Sequence, residues 1–243
     1  MLDDLPSLDD LDAGLALPST RIYDRHGRLL YEILPPQQGR NRVLPLSEIP
    51  RHCVNAIVAT EDANYYRHPG VDPLGIARAL WLNLRGGEIV AGGSTITQQT
   101  ARLLLLDPRP GSERSLRRKL REALLALKMQ RRFSKDEILE LYLNQVYFGN
   151  LAYGIDAAAR AYFQKGAGDL SLAECALLAG IAQNAIINDP LAQRERAKSR
   201  QAVSLRLMAQ QGYISGEESR TALADELQFA AVPFPIEAPH FVM

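Results

Sequence analysis

The sequence predicts a mainly α-helical domain with a small β-hairpin near its N-terminus. Apolar residues recur with a helical period from Leu46 nearly to Leu227, whereas residues 21–33 alternate around an Asp-x-x-Gly turn as a short hairpin does. The chain has 243 residues, of which 47% are hydrophobic, so it can bury a sizeable core. Together these observations argue against disorder across the chain.

Several of the helices have recognisable start and stop signals. A helix is expected to begin at Asp72, whose side chain can cap it, with Pro73 in the first turn, and to stop at Gly86 and Gly87. Ser171 and Glu174 have the spacing of a capping box. The predicted helices span residues 72–84, 115–132, 135–147, 155–162, 171–183 and 192–211.

The helix over residues 115–132 has two notable faces. We expect the leucines at positions 116, 120, 124 and 127 to form its buried stripe, which leaves Glu122 off that stripe. Residues 113–135 contain nine basic and two acidic residues, a local charge of +7 in a chain whose 28 basic and 28 acidic residues balance. The neutral total gives no overall attraction to nucleic acid, so any anion site must come from this local cluster.

The two ends of the chain differ in composition from the helical body. Residues 1–20 form an acidic leader, and residues 228–243 form a Pro-rich linker. No segment approaches the roughly 20 apolar residues of a spanning helix. Cys53 and Cys175 lack the spacing of a metal or redox motif; buried thiols are the favoured interpretation, and a disulfide stays open.

Three segments have the residue types of a catalytic site. Glu61 and Asp62 follow an apolar run near the end of a predicted helix, where the helix dipole disfavours acids, so Glu61 is a candidate for chemistry. Residues 92–102 offer glycines, hydroxyls and amides suited to sugar or phosphate oxygens. Arg114, Arg118 and Glu122 repeat at four-residue intervals on one helical face, so this face can bind an anion while Glu122 stays ionised. Taken singly, the acid pair is better explained as solvated surface charge, and the Arg–Glu spacing is common on helix surfaces. Residues 92–102 are also compatible with a glycine turn and a polar helix start.

The order and spacing of five motifs resemble one enzyme family. The motifs are EDANYYRHPG, GGSTITQQ, RRKLRE, SKDEILELYLNQVYFGN and AAARAYFQK, and the match as a whole covers about residues 21–190. They resemble the peptidoglycan glycosyltransferases (glycosyltransferase family 51) of class A penicillin-binding proteins. Thr100 to Arg102 and the last six residues resemble the 1C type. Five ordered motifs are far more specific than any one of them.

The resemblance implies a lysozyme-like, two-lobed fold and a division of the chain. The acidic leader would follow a membrane anchor, residues 21–227 would form the glycosyltransferase domain, and residues 228–243 would lead to a transpeptidase domain, neither anchor nor transpeptidase being in this sequence. The smaller lobe, about residues 72–112, would face the membrane through Trp81, Leu84 and the leucines 103–106. Core packing explains about half of those leucines equally well.

The resemblance also implies a reaction and a set of site residues. The domain would polymerise lipid II with inversion at the donor anomeric carbon and release of lipid pyrophosphate, at the extracytoplasmic face of the plasma membrane. Glu61 would be the general base and Glu122 would assist the leaving group. Substrate contacts are expected at Asp62, Ser94, Gln98, Gln99, Arg102, Arg114, Arg118, Arg121 and Tyr162. Expected partners are lipid II, the growing glycan strand, the membrane interface and moenomycin-type phosphoglycolipids, with no nucleic acid, no organic cofactor and a divalent cation (Mg or Mn) possible at the pyrophosphate.

The sequence departs from the family pattern at a few positions and leaves two rival functions open. Tyr65 replaces the usual Phe, Gln164 the usual Gly, and Ala182 and Ala185 the usual prolines after a helix. None of these changes touches the two carboxylates. A muramidase or lytic transglycosylase would also use a glutamate in a helical cleft, and a non-catalytic membrane-associated scaffold would need neither acid.

Overall fold

A computed structural model describes residues 5–10, 15, 17–27, 29–34, 39–75, 77, 93–106 and 116–229. These residues form a mainly α-helical fold with a small antiparallel hairpin, as the sequence predicts. The helices are α1 Arg51–Glu61, α2 Ile96–Leu105, α3 Leu116–Arg132, α4 Lys135–Gln145, α5 Ile155–Phe163, α6 Leu172–Ala182, α7 Arg194–Gln210 and α8 Gly216–Ala224. Short 3₁₀ turns lie at Leu8–Asp10, Leu46–Glu48, Tyr65–Arg67 and Ala167–Asp169.

The hairpin pairs β1 (Thr20–Tyr23) with β2 (Leu29–Ile33), in the region that alternation predicted. Its turn is closed by the backbone N–H of Gly27, which donates to the carbonyl of Asp24 at 3.1 Å. Gly27 has φ +79°, a conformation that glycine adopts without steric cost. A second, parallel pair joins β3 (Arg40–Asn41) to β4 (Ala152–Tyr153). These strands hold the N-terminal region against the helical body.

The helices pack in two groups around a shared core. In one group α6 packs against α1 and α7, and α8 covers α7. In the other group α2 packs against α3 and α4. Nearly every residue of α6 is buried, which explains why its sequence is apolar on all faces. The end of α1 reaches the second group, because Glu61 is hydrogen-bonded to Gln99 of α2.

Two of the predicted capping signals are present at helix starts. Ser171 and Glu174 form the predicted capping box, and the backbone N–H of Gly75 donates to the carboxylate of Asp72 at 2.9 Å. Residues 73–75 are helical, whereas Gly86 and Gly87 lie outside the described residues. The helix predicted over 135–147 ends at Gln145, because Val146 adopts an extended backbone.

The buried face of α3 is not the one that the leucine spacing predicted. Leu120 is 48% exposed, whereas Leu125, Met129 and the carboxylate residue Glu122 are fully buried. Residues 122, 125 and 129 follow a helical period that is shifted from the predicted stripe. The prediction was wrong because this leucine-rich helix supports two apolar stripes, and packing against α2 and α4 selects the one that contains Glu122.

Cys53 of α1 and Cys175 of α6 form a disulfide, with their Cα atoms 4.6 Å apart. Both residues are buried, so the preference for free thiols is corrected. Sequence spacing left this pairing open because the two residues are 122 positions apart and meet only through the packing of α1 on α6. The bond therefore ties the helix that ends at Glu61 to the middle of the core.

The leucines at 103–106 belong to the core. Leu104 is buried, and Leu103, Leu105 and Leu106 are partly buried and pack against the core residues. They give no support to the expected membrane surface. Trp81 and Leu84, together with most of the expected smaller lobe, lie outside the described residues. In the leader, Asp9 forms an ion pair with Arg132 at 2.6 Å, and Leu5, Leu8 and Leu15 pack against the core.

Candidate active site

Glu61 is the last residue of α1 and lies where the two helix groups meet. The helix buries Val54, Ile57 and Val58 against the core, which fixes the direction in which its last turn faces. Asp62 leaves the helix with φ −158° and turns the chain away. The predicted position of Glu61 at a helix end is therefore confirmed.

The side chain of Glu61 is partly exposed, its Oε1 is buried, and its carboxyl group has a single amide donor among the described residues. Gln99 Nε2 donates to Glu61 Oε2 at 2.7 Å, and Tyr142 Oη donates to Gln99 Oε1 at 3.4 Å, which sets the orientation of that amide. Glu61 Oε1 has no hydrogen-bond partner within the described part of the chain. This oxygen can accept a proton without breaking an internal hydrogen bond.

Opposing effects act on the pKa of Glu61. Burial raises the pKa of this carboxyl group above its ordinary value of 4.5, while the Gln99 hydrogen bond and the positive charges of Arg200 and Arg102 work against that rise. The net direction is upward. A raised carboxyl pKa brings the group nearer to the value that suits a general base at neutral pH.

Asp62 holds the residues that lead into α2. Its carboxylate contacts His68 Nε2 at 2.9 Å and accepts from the backbone N–H of Ile96 at 3.0 Å. Gln98 is similarly engaged, because it forms a capping box with Thr95 at the start of α2. These contacts give Asp62 and Gln98 positioning roles inside the protein, and nothing in this geometry supports the substrate contacts predicted for them.

Glu122 lies on the buried face of α3 beside two cations. Lys119 Nζ donates to Glu122 Oε2 at 2.7 Å, and Arg118 Nε lies 3.4 Å from Glu122 Oε1. Lys119 Nζ also donates to Ser94 Oγ at 2.7 Å. Lys119 was not among the predicted site residues, although its spacing of three residues from Glu122 is a signal that could have found it.

The other predicted site residues differ in their surroundings. Tyr162 is fully buried, and its hydroxyl donates to the carbonyl of Phe148 at 2.7 Å and accepts from Asn150 at 3.0 Å. Its predicted substrate contact has no support in this arrangement. Arg102 lies in the last turn of α2, where its charge acts on Glu61, and Arg121 is partly buried on α3. Arg114 lies outside the described residues.

Two residues near Glu61 were missed by sequence reasoning. Arg200 of α7 is the largest charge influence on the pKa of Glu61, and Tyr142 of α4 orients Gln99. Arg200 has no local sequence signal, because α7 carries several arginines and only packing shows which one faces the site. Tyr142 is a buried aromatic residue on a helix, which in sequence is indistinguishable from core.

The side chains around Glu122 do not fit a protein-held divalent cation. Mg²⁺ and Mn²⁺ prefer several oxygen ligands, whereas Glu122 is engaged by Lys119 and Arg118. Within the described ranges, the residues that meet with metal-ligand spacing are His52, Cys53 and Cys175, and both cysteines are in the disulfide. A cation bound through pyrophosphate oxygens stays a prediction.

Comparison with known proteins decides the family. The family model described as Transglycosylase matches residues 26–209, most of the chain. The chain belongs to the transglycosylase family. That span contains all five motifs and both carboxylates, which agrees with the expected peptidoglycan glycosyltransferase family.

Named relatives of this transglycosylase-family chain are longer proteins. It is 44% identical over 219 residues to penicillin-binding protein 1A of Aquifex aeolicus, covering 90% of this chain and 29% of the relative. The corresponding protein of Escherichia coli is 42% identical over 219 residues, with 88% and 25% covered. A crystal structure of penicillin-binding protein 1A from Haemophilus influenzae matches 89% of this chain and 21% of that chain, with 24% identity and a TM-score of 0.48. The chain thus spans under a third of these relatives, whose names do not confirm the 1C-like subtype.

Proposed function

We propose that this domain is a peptidoglycan glycosyltransferase that polymerises lipid II into glycan strands. One observation carries the proposal. A single short segment, residues 94–99, contacts Glu61 at one end and the ion pair of Glu122 at the other. Gln99 of α2 contacts Glu61, whereas Ser94, just before α2, contacts the Lys119–Glu122 pair. Residues 94–99 therefore connect a candidate base to a candidate anion site.

In this proposal Glu61 removes the proton from the 4-hydroxyl of the acceptor sugar. The hydroxyl oxygen forms a bond to the donor anomeric carbon as the bond to the lipid pyrophosphate breaks, and the proton moves to the carboxylate of Glu61. Attack on the face opposite the leaving group inverts the anomeric centre. The raised pKa of Glu61 supports this role, because a stronger base takes the proton more readily.

The Glu122 side of the site would stabilise the leaving pyrophosphate. Arg118 and Lys119 can place positive charge beside phosphate oxygens, and Glu122 holds both side chains in one orientation. A divalent cation bound to the pyrophosphate would supply further positive charge. A muramidase that cleaves neutral glycan has little use for such a cation pair, which favours the polymerase over that alternative.

The partners and location follow from the proposed substrate. Lipid II is membrane-bound, so the domain would act at the extracytoplasmic face of the plasma membrane, with the growing glycan strand as second substrate and moenomycin-type phosphoglycolipids as inhibitors. None of the helices within the described ranges is long and apolar enough to span a membrane. Trp81 and Leu84, which the resemblance implies for this contact, lie outside the described residues.

The test is an assay of the purified domain with lipid-linked disaccharide in detergent. Glycan polymer with released lipid pyrophosphate is the expected product. Glu61→Gln should form polymer far more slowly, whereas Glu217→Gln, at an exposed position in the first turn of α8, should match the wild type. Cleavage of preformed glycan without polymer would instead support a muramidase, and inactivity of the wild type in both assays would support a scaffold.

A further inference from the structure

The last turn of α1 is held by two glutamine side chains from distant parts of the chain. Carbonyl groups at a helix C-terminus have no partner inside the helix. Gln211 Nε2 donates to the carbonyl of Ala59 at 3.1 Å, and Gln183 Nε2 donates to the carbonyl of Thr60 at 3.4 Å. These carbonyls belong to the two residues that precede Glu61, so the amides act directly on the turn that carries the candidate base.

Gln183 connects that turn to Arg200, whose positive charge acts on Glu61. Its Oε1 accepts a hydrogen bond from Arg200 Nη2. The orientation of the amide is determined by its partners, because a carbonyl only accepts and a guanidinium only donates. One end of Gln183 therefore holds the backbone beside Glu61, and the other end holds the guanidinium whose charge acts on Glu61.

The helices that supply these side chains are closely packed at this point. A Cβ atom added to Gly180 of α6 would lie 2.9 Å from Arg200 Cβ and 3.0 Å from its carbonyl carbon. Glycine at this position lets α7 approach α6 closely. Gln183 directly follows α6 and Gln211 directly follows α7, so both amides project from the ends of a tightly packed helix pair.

We infer that Gln183 and Gln211 are positioning residues that hold the last turn of α1 and so orient Glu61, and that Gln183 also holds Arg200 beside that carboxylate. The inference rests on the proposed function for its catalytic consequence. The amide donors also offset the partial negative charge of the helix end, which otherwise disfavours an ionised Glu61. In this inference both glutamines act through Glu61, and no contact with the reacting atoms is assigned to them.

The experiment compares Gln183→Ala, Gln183→Glu and Gln211→Ala with Gln210→Ala, a matched control at the exposed neighbouring position. Gln183→Ala should lower kcat roughly tenfold, as expected for a lost hydrogen bond to a charged group, and leave KM for lipid-linked disaccharide unchanged. The acidic limb of its pH–rate profile should move to higher pH, because Arg200 is no longer held beside Glu61. Gln211→Ala should lower kcat about threefold, since one neutral hydrogen bond is lost.

Gln183→Glu separates the two ends of the side chain. A glutamate can still accept from Arg200, but it cannot donate to the Thr60 carbonyl, and it adds a negative charge near Glu61. We expect the acidic limb of the pH–rate profile of Gln183→Glu to lie at the same pH as that of Gln183→Ala, or at a higher pH. Gln210→Ala should retain the wild-type kcat and profile. Melting temperatures for all four variants separate a catalytic change from a loss of folded protein.

A titration of the Glu61 carboxyl group by ¹³C NMR tests the inference without a measurement of turnover. The carboxyl pKa should be higher in Gln183→Ala than in the wild type, even if no variant forms polymer. An unchanged Glu61 titration in folded Gln183→Ala would overturn the positioning role. A change in KM alone would also overturn it, because it would make Gln183 a substrate contact. Absence of polymer from the wild type would count against the proposed function only.

Discussion

The two carboxylates of the candidate site each have a buried oxygen but differ in what surrounds them. Glu61 ends a helix, has one amide donor and lies in a setting that raises its pKa. Glu122 lies within a helix and contacts two cations directly. The comparison shows that burial alone does not set the role of an acid: a carboxylate with few partners suits proton transfer, whereas a paired one suits the organisation of positive charge.

The largest effect is expected when the charge of Glu61 is removed, which tests whether Glu61 differs from Glu122 in acting as the base. Glu61→Gln should lower the polymerisation rate by about 10² to 10⁴-fold, because it removes the proton acceptor while keeping size and an amide contact. Donor binding should be retained, as measured by titration with lipid-linked disaccharide. Turnover near the wild-type level would show that Glu61 is not the base.

The same variant tests the pKa of Glu61 through stability. The pKa of Glu61 is higher in the folded state than in the unfolded state. The contribution of Glu61 to stability is therefore fully present below the unfolded-state pKa and is lost as the pH rises through the folded-state pKa. Glu61→Gln should therefore melt at a temperature equal to or above that of the wild type at neutral pH. The difference should disappear on acidification, with Glu217→Gln as the reference.

The disulfide offers a second contrast, because it fixes the helix of Glu61 and not that of Glu122. Replacing Cys53 and Cys175 together with serine should lower the free energy of unfolding by about 2 to 4 kcal/mol, since the bond closes a long loop. Urea melts with and without reductant provide the measurement. If reductant destabilises the serine variant as much as the wild type, the effect does not come from this bond.

Removing a cation beside Glu122 tests whether this carboxylate organises positive charge for the leaving group. Lys119→Ala should cost roughly 1.5 to 3 kcal/mol of transition-state stabilisation, because Glu122 and Ser94 both lose a charged donor. Arg118→Ala should have a similar effect, and Arg118→Lys should recover only part of it. Glu122→Gln should slow turnover yet still bind the donor. Wild-type rates in all of these variants would show that the charged side chains on this face of α3 have no role in catalysis.

The smallest expected effect concerns the charge beside Glu61. Arg200→Ala removes an interaction that lowers the pKa of Glu61, so that pKa should rise further. Because a base must be deprotonated, the acidic limb of the pH–rate profile should shift to higher pH. Arg206→Ala, an exposed position on the same helix, serves as control and should leave the profile unchanged.

Sequence reasoning was most successful where the information is local. The hairpin, the capping box at Ser171 and the end of α1 at Glu61 depend on residues within a few positions of one another, and the structure confirms them. The same reasoning placed the buried stripe of α3 wrongly, because the stripe with Leu125 and Met129 satisfies the helical period as well as the predicted leucine stripe does. Packing against neighbouring helices selects between the two.

The fold class, the family and the two candidate carboxylates could be predicted from the sequence, because helical periodicity and the order of motifs can be read along the chain. The tertiary structure was needed to show that Cys53 and Cys175 pair, that the charge of Arg200 acts on Glu61, and that the Asp62 carboxylate holds the start of α2. These are relations between side chains on separate elements. They depend on which helix faces pack together, and that choice is made by burial across the whole core.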